Sequence, residues 1–257
     1  MRFGKPLSRA FFDRPSPEVA RDLVGALLVH RLADGTRLAR RIVEVEAYIG
    51  DGTDPGSHSH RGPTPRNRSM FGPPGRLYVY LSYGVHTCAN VVCEARGRGA
   101  AVLLRALEPC DGIERMRALR GLCAQAPVSA IASGPGRLAQ ALGITLADDG
   151  RSLAHGAVVL HRPSPEAAPA GIAVSARVGL THGAALPYRF FDPQSACVSR
   201  ARPGVRGPSK RRRARGTPAA RAGTKSRAHP PSVRRFASSR PHPCRRSRTG
   251  GRARGSW

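Results

Sequence analysis

The sequence predicts an α+β fold: a single domain with a curved, mainly antiparallel β-sheet, surrounding helices and a protruding β-hairpin, followed by a disordered basic C-terminal tail. Three observations support this prediction. Strand-like runs cluster early, and helices are interspersed without the regular alternation of a doubly wound sheet. One pair of runs has the pattern of a tight hairpin, and residues 201–257 are too polar to build a core. We expect residues 1–200 to form the domain and residues 201–257 to form the tail.

A helix and a hairpin open the domain. Ser16 as a cap and Pro17 at the first helical position predict the start of a helix, and apolar residues at helical spacing continue it to Leu27. The Asp34-Gly35 pair then predicts a turn between two strands. The second of these strands contains the segment EVEAYIG, residues 44–50.

Alternation in this segment assigns its side chains to two faces of the strand. One face is apolar and consists of Val43, Val45, Ala47 and Ile49. The other face carries Glu44, Glu46 and Tyr48. By itself the pattern is typical of a half-buried edge strand with a solvated acidic face, and it does not distinguish the two carboxylates.

A long loop and a second hairpin follow. Residues 50–76 lack periodicity, which is typical of a functional loop or of disorder. The segment LYVYLSYGVHTCANVVCEA predicts a hairpin with Tyr83-Gly84 as a two-residue turn. Tyr83 would lie at an exposed tip, where it buries nothing in its own domain. An aromatic side chain in that position could wedge between base steps of DNA.

Further strands and helices complete the domain. AAVLLRALEP predicts a buried strand, and GIAVSARVGL and PYRFF predict the last strands. Between them, one helix begins near Asp111 and ends at Gly121. A second helix is capped by Ser133 and ends at Gly143.

The charge of the chain is strongly positive and unevenly distributed. The formal net charge is +27, and residues 201–257 hold 18 Lys or Arg residues and no Asp or Glu. Such an excess favours a polyanionic partner. Two interpretations of the tail stay open: it adds sequence-independent affinity for nucleic acid, or it is an extension without a selected role.

Several classes of protein are disfavoured. We find no apolar run long enough to span a bilayer and no secretory signal, so we expect a cytoplasmic protein without membrane contact, associated with the nucleoid in a bacterium. The six cysteines form no C-x-x-C pair, which indicates reduced thiols. His58 and His60 lie two residues apart, but no nearby acid or Cys completes a metal site. We expect neither a metal nor another cofactor.

Residues 57–75, SHSHRGPTPRNRSMFGPPG, combine basic side chains with turn formers. They form either a solvated basic loop or a loop that positions phosphate groups through Arg, Thr, Asn and backbone N–H groups. Arg66 is a candidate for a DNA contact of this kind. Tyr78 and Tyr80 share one face of the next strand, which is more often packing than function.

Seven segments of the chain together resemble a known family. They are RIVEVEAYIG, SHSHRGPTPRNRSMFGPPG, LYVYLSYGVHTCANVV, VLLRALEP, SGPGRLAQALGI, SARVGL and YRFF. Their order and spacing resemble the alkyladenine (3-methyladenine) DNA glycosylase family over about residues 7–200. The resemblance implies a monomeric base-excision repair hydrolase that flips damaged purines out of double-stranded DNA, hydrolyses the N-glycosidic bond and leaves an abasic site. The implied lesions are 3-methyladenine, 7-methylguanine, hypoxanthine and ethenoadenine.

The resemblance also implies which residues carry the chemistry. Glu46 corresponds to the carboxylate that activates the attacking water, and Arg105 to the arginine that holds this water and the flanking phosphate. Val178 corresponds to a residue whose main-chain carbonyl contacts the same water. A neighbouring Arg105 would lower the pKa of Glu46 and keep it ionised. Glu44 is left as a structural residue of the acidic face.

A second set of residues is implied to hold the flipped base. Tyr48 and His58 would cover its two faces, and Tyr80 would form the third wall of the pocket. Asn90 would crowd the exocyclic amino group of guanine. Stacking on aromatic rings stabilises an extruded base by roughly 1–3 kcal/mol, which is comparable to the cost of flipping.

Contacts with the duplex are implied for three more residues. Tyr83 would fill the hole left by the flipped nucleotide, and Thr64 and Met70 would line the groove and the pocket. Lys5 is the sole lysine in residues 1–200. Because strand cleavage by a glycosylase requires an amine for a Schiff base, we expect a monofunctional enzyme.

Two functions of other classes compete with this interpretation. A basic nucleic-acid-binding protein without catalysis fits the composition and the tail equally well. A metal-dependent nuclease is disfavoured, because the sequence shows no acidic cluster that would hold the metal.

Overall fold

The computed structural model describes residues 4–163 and 168–199. The predicted disordered tail, residues 201–257, lies outside the described residues. Within them, a curled antiparallel sheet is combined with short helices, so the predicted α+β class is confirmed. None of the helices in the described ranges has both the length and the apolar content that a membrane span requires.

Eight described strands form one sheet, and all their pairings are antiparallel. The main path runs β3-β4-β5-β2-β1-β6, while β8 pairs with both β2 and β7. The strands are β1 Leu27–Arg31, β2 Arg37–Tyr48, β3 Leu77–Ser82, β4 His86–Cys93, β5 Ala100–Asp111, β6 Val158–His161, β7 Ala173–Ser175 and β8 Arg189–Phe191.

Four short helices pack around the described sheet. They are α1 Arg9–Phe12, α2 Ser16–Leu23, α3 Ile113–Leu119 and α4 Pro135–Leu142. Three 3-10 turns accompany them: Arg68–Phe71, Val128–Ala130 and Leu146–Asp148. The main core lies where α2 packs on β2 and α4 packs on β4 and β5.

Several predicted boundaries are wrong by a few residues. The helix predicted to start at Ser16 is α2, and it ends at Leu23, because Gly25 adopts a φ of 94° and the chain turns into β1 at Leu27. The N-caps of α2 and α4 are Pro15 and Gly134, whereas Ser16 and Ser133 were expected. Strands β1 and β2 form the predicted hairpin, and α1 and β6 carried no recognised signal.

Strand β2 lies in the interior of the sheet. β5 pairs with it along one side, while β1 and then β8 pair with it along the other. Glu44 and Glu46 are 0% exposed. The expectation of an edge strand with a solvated acidic face is therefore wrong. Alternation marks a polar face, but it cannot show whether water or more protein covers that face.

A bulge between β2 and β5 alters the expected alternation. The strand register passes over Val43 on β2 and over Arg105 on β5. Val43 leaves the face of Val45 and packs with Ala106 in a small separate cluster, while Ile42 joins the main core instead. The prediction that Val43 and Val45 share one face is thus wrong. Bulges redirect side chains and are frequent beside active sites.

Candidate active site

Two buried carboxylates of β2 converge on one arginine of β5. Arg105 donates from Nε to Glu44 Oε1 at 2.9 Å and from Nη1 to Glu46 Oε2 at 3.3 Å. Its Nη2 donates to the hydroxyl of Ser199 at 3.3 Å. The bulge turns Arg105 toward β2, and the structure thereby brings together the predicted pair of Glu46 and Arg105.

Glu44 is surrounded by strong donors. It accepts hydrogen bonds from Arg189 Nε at 2.7 Å and from the backbone N–H and hydroxyl of Ser199 at 2.6 and 2.8 Å. Burial raises the pKa of Glu44, but Arg105, Arg189 and Ser199 outweigh burial, so the pKa lies below its ordinary value. Glu44 is therefore an ionised structural partner of two arginines.

Glu46 has a different balance of interactions. Its Oε1 accepts from the Val178 N–H at 2.7 Å, and its Oε2 accepts from the Tyr48 hydroxyl at 3.0 Å. Burial raises the pKa of Glu46 and is only partly offset by Arg105, Val178 and Tyr48. Arg105 lowers the pKa of Glu46 as expected, but burial raises it by more, so the net shift is upward. A carboxylate with a raised pKa is a stronger general base, and the opposite shifts of Glu44 and Glu46 separate their roles.

Tyr48 joins Glu46 to a second arginine. The guanidinium carbon of Arg177 lies 4.6 Å from the centroid of the Tyr48 ring. Burial raises the pKa of Tyr48 well above its usual value, so the phenol stays neutral and donates to Glu46. Val178 follows Arg177 directly. The resemblance assigned a role to the carbonyl of Val178, whereas the structure shows its N–H bound to Glu46.

A cavity of about 1080 Å³ opens beside these residues. Loops, the hairpin β3–β4, the start of α4 and the segment after β7 all contribute to its walls. The walls include seven of the predicted residues: Tyr48, His58, Arg66, Tyr80, Tyr83, Arg105 and Val178. Small-molecule sites of this size enclose most of a ligand's surface. The cavity therefore has room for a purine and its sugar.

His58 and Tyr80 form an aromatic wall of the cavity. Their ring centroids lie 4.5 Å apart with an interplanar angle of 73°, and Tyr78 stacks on Tyr80 at 5.5 Å. The Nδ1 of His58 hydrogen-bonds the Tyr78 hydroxyl at 2.9 Å. Burial lowers the pKa of His58, and Arg66 lowers it further. A neutral imidazole therefore faces the cavity near neutral pH.

Asn90 and Met70 lie behind this wall. Asn90 is buried on β4 and donates from Nδ2 to the backbone carbonyl of Tyr78 at 3.0 Å. Met70 is buried in a cluster that includes Tyr78 and Val92. Both residues support the aromatic wall from behind. Contact of Asn90 with a base, and of Met70 with DNA, stays a prediction.

The hairpin β3–β4 ends in an exposed apolar tip. Tyr83 is 90% exposed and Val85 is 71% exposed. Ser82 pairs with His86, so the loop has three residues, and the expected two-residue turn is wrong. Tyr83 adopts a φ of 50°, which is uncommon for a bulky residue. The tip holds Tyr83 in solvent at the edge of the cavity.

Arg66 and Thr64, the two DNA contacts predicted in the basic loop of residues 57–75, lie beside different cavities. Arg66 lines the large cavity, donates to the Leu81 carbonyl at 2.8 Å and lies 5.8 Å from the Tyr80 ring centroid. Thr64 lines an adjoining cavity of about 530 Å³, and its backbone N–H donates to Asn67 Oδ1 at 2.6 Å. Both side chains are exposed.

Sequence reasoning missed the ion pair between Asp54 and Arg177. Arg177 donates to both carboxylate oxygens of Asp54 at 2.6 Å, and the two residues are 123 positions apart. It also missed Arg189 and Ser199 as partners of Glu44. No local pattern could have found these contacts. The sequence shows only that carboxylates and arginines occur in these loop and strand segments, without indicating which of them pair.

The arrangement can support hydrolysis by a base-activated water. Glu46 offers a buried carboxylate of raised pKa, and Arg105 and Val178, which line the aromatic cavity, fix its orientation. Among residues 4–163 and 168–199, no group of three or more His, Cys, Asp or Glu side chains is placed to hold a metal ion.

Comparison with known proteins identifies a family and several similar chains. Residues 10–196 match the family model described as Methylpurine-DNA glycosylase. A protein of Methanoculleus marisnigri is 51% identical over 196 residues, which cover 76% of this chain and 98% of the relative. One of Bradyrhizobium diazoefficiens is 49% identical over 199 residues, covering 77% of this chain and 93% of the relative. Both carry the name "Putative 3-methyladenine DNA glycosylase".

Proposed function

The chain belongs to the methylpurine-DNA glycosylase family, which comprises hydrolases of N-glycosyl bonds in DNA repair, and from this premise we propose that it excises alkylated and deaminated purines from double-stranded DNA. The proposed substrates are 3-methyladenine, 7-methylguanine, hypoxanthine and ethenoadenine. We propose that the enzyme acts as a monomer in the cytoplasm and leaves an intact abasic site.

The observation that carries the proposal is the position of Glu46. Glu46 is buried and is hydrogen-bonded to Tyr48, Val178 and Arg105, which line the aromatic cavity. In the proposed reaction, water attacks C1′ and gives its proton to Glu46. The C1′–N bond breaks, and its electron pair leaves with the purine. The carboxylate also faces the positive charge that develops on the sugar.

Arg105 supports this step by orientation. All three of its guanidinium nitrogens are engaged by protein groups, namely Glu44, Glu46 and Ser199. We therefore propose that Arg105 orients Glu46. A contact of Arg105 with the attacking water or with a phosphate would be a second role. Such fixed geometry avoids reorganisation at the moment of reaction.

The flipped base is proposed to stack within the cavity. Tyr48 and His58 would cover its faces and Tyr80 would close one side, because these three rings line the cavity together. Asn90 is proposed to limit the space near a guanine amino group. On the duplex side, Tyr83 would take the vacated position, while Arg66 and Thr64 would hold the surrounding strand. Met70, buried behind the aromatic wall, would support the pocket.

The position of Lys5 supports a monofunctional reaction. The Lys5 carbonyl accepts from the Arg162 N–H at 3.0 Å, just beyond β6. β6 ends the sheet path opposite to the hairpin that borders the cavity. A lysine tied to that edge is badly placed to form a Schiff base at C1′.

Excision from a defined duplex tests the proposal. We expect the full chain to release hypoxanthine from a duplex in the presence of EDTA, with strand breaks forming after alkali only. The measurement is gel analysis of the labelled strand before and after alkali, with and without borohydride. Binding without base release would favour the alternative of a non-catalytic nucleic-acid-binding protein. Loss of activity in EDTA would point to a metal-dependent nuclease, and borohydride-trapped complexes would contradict monofunctional chemistry.

Removal of the Tyr83 ring is expected to weaken binding to lesion duplexes about tenfold, because the hole left by the flipped base is then unfilled. Tyr83→Asn is the preferred change, since Asn tolerates the positive φ of this position. The measurement is the dissociation constant for a hypoxanthine duplex. Leu146→Ala, an exposed apolar residue outside the cavity walls, is the matched control. Equal affinities of Tyr83→Asn and wild type would exclude a wedge role.

A further inference from the structure

A buried ion pair lies directly behind the Tyr48 ring. Arg177 donates to both oxygens of Asp54 at 2.6 Å, and the two side chains are 0% and 1% exposed. The Arg177 guanidinium carbon lies 4.6 Å from the Tyr48 centroid. Tyr48 lines the large cavity whereas Arg177 does not. Arg177 therefore covers the ring face that points away from the cavity.

The pair is held by several backbone groups of the site. Asp54 also accepts from the N–H groups of Ile49 at 3.2 Å and Gly56 at 2.9 Å. Arg177 also donates to the carbonyl of Ala47 at 3.0 Å. The position of Arg177 against the ring is thus fixed from several directions, and the charge behind Tyr48 cannot move away.

The charges around Tyr48 sum to zero although the chain carries +27. Three buried carboxylates are paired with three guanidiniums: Glu44, Glu46 and Asp54 with Arg105, Arg177 and Arg189. The imidazole of His58 on the cavity wall is neutral near pH 7, because burial lowers its pKa. These groups therefore present no uncompensated positive charge to a ligand in the cavity, whose other arginines are Arg66, Arg120 and Arg137.

We propose that Asp54 is a specificity-determining residue that neutralises Arg177 behind the Tyr48 ring and so lets a cationic purine stack on the opposite face. The inference rests on the proposed function, and Asp54 acts through Arg177 as a positioning residue. A cation over a tyrosine face is attracted by the ring quadrupole. A second, unpaired cation behind the same ring would repel it. Purines that carry a fixed positive charge in DNA, such as 7-methylguanine, would be affected far more than uncharged hypoxanthine.

Asp54→Asn tests the charge while keeping the shape of the side chain. Single-turnover excision of 7-methylguanine and of hypoxanthine duplexes is measured with one preparation. We expect the rate for 7-methylguanine divided by the rate for hypoxanthine to fall about tenfold. A unit charge roughly 8 Å away, at an effective dielectric constant of about 20 and reduced by screening, has an effect of this size. A purely structural role would lower both rates together and leave the ratio unchanged.

Arg177→Met is the second variant and is expected to act in the opposite direction. Asp54 would keep its two backbone N–H donors, so this variant retains part of the network, and the net negative charge behind Tyr48 would raise the ratio. Asp192→Asn is the matched control. It breaks another buried pair, with Arg41 at 2.6 Å, and Asp192 does not line the cavity.

The outcomes separate this inference from the proposed function. In each of Asp54→Asn and Arg177→Met that folds, a shift of the ratio in the expected direction, with no change in Asp192→Asn, supports the inference. A ratio within about twofold of wild type in whichever variant folds overturns it. The double variant Asp54→Asn with Arg177→Met removes both charged partners, and proteins tolerate this better than the loss of one partner. We expect the double variant to restore the wild-type ratio. A ratio that stays shifted in the double variant contradicts the inference. Failure of the wild-type chain to excise either base would refute the proposed function instead.

Discussion

Glu46→Gln is expected to slow the release of hypoxanthine by about 10²- to 10⁴-fold, the usual contribution of a general base, while binding to the lesion duplex persists. The amide cannot take a proton from water, yet it has nearly the same shape. The measurement is single-turnover excision together with the dissociation constant. Glu108→Gln, a carboxylate on β5 that pairs with Arg41, is the matched control and is expected to keep wild-type excision.

The pH dependence gives an independent test of the same assignment. Because the pKa of Glu46 lies above its ordinary value of 4.5, wild-type excision is expected to fall as pH drops through that raised value. The residual rate of Glu46→Gln should lack this acidic limb. An unchanged limb, or excision within about tenfold of wild type, would remove Glu46 as the base.

Glu46→Gln is also expected to unfold at a temperature no lower than that of wild type. A folded-state pKa above the unfolded value means that the ionised carboxylate opposes folding at neutral pH. Removal of the charge should therefore stabilise the fold at neutral pH. This gain in stability should vanish when the pH lies below the pKa of Glu46 in the unfolded chain. A large loss of stability would show that the kinetic defect has a structural cause.

Arg105→Met is expected to reduce the free energy of unfolding by about 3–5 kcal/mol at neutral pH, because one partner of a buried charge cluster is removed. Glu46 would lose its cationic partner, and Glu44 would keep Arg189 as its one remaining cationic partner among the described residues. The measurement is urea denaturation followed by circular dichroism. Arg98→Met, an arginine 55% exposed and paired with Glu94 at 3.5 Å, is the control, with an expected change under about 1 kcal/mol.

The stability loss in Arg105→Met should depend on pH with a defined sign. Glu44 has a pKa below its ordinary value in the fold. Its stabilising contribution is therefore present above the unfolded pKa and is lost as pH falls through the folded pKa. Loss of Arg105 should cost most near neutral pH and least in acid, where both carboxyls are protonated. A cost that does not vary with pH would show that Arg105 contributes through packing instead.

Some features of the site follow from local sequence patterns. Glu46 and Tyr48 stand two apart in a strand, which places them on one face, and the structure joins them by a hydrogen bond. Tyr83 next to Gly84 between two β-rich runs predicted a tip residue, and Tyr83 lies at the tip. Turn chemistry and alternation act over a few residues, so these parts could be predicted.

Other features could not be predicted from any local pattern. The alternation of β2 gave no warning that a bulge would displace Val43 and turn Arg105 toward the carboxylates. It also gave Glu44 a solvated position, whereas β8 and Ser199 cover that residue. The net direction of the Glu46 pKa shift was also predicted wrongly. The sequence indicated Arg105 as a partner of Glu46, but it did not show how deeply Glu46 is buried.

Periodicity and turn residues encode the α+β class, the exposed Tyr83 and the pairing of a carboxylate with an aromatic ring on one strand face, because each depends on a few neighbouring residues. Tertiary structure alone decided which carboxylate has the raised pKa and which arginine lies behind Tyr48. Those properties depend on burial and on ion pairs between distant segments, such as Asp54 and Arg177, 123 residues apart. Only folding creates the low-dielectric environment in which such charges differentiate two neighbouring glutamates.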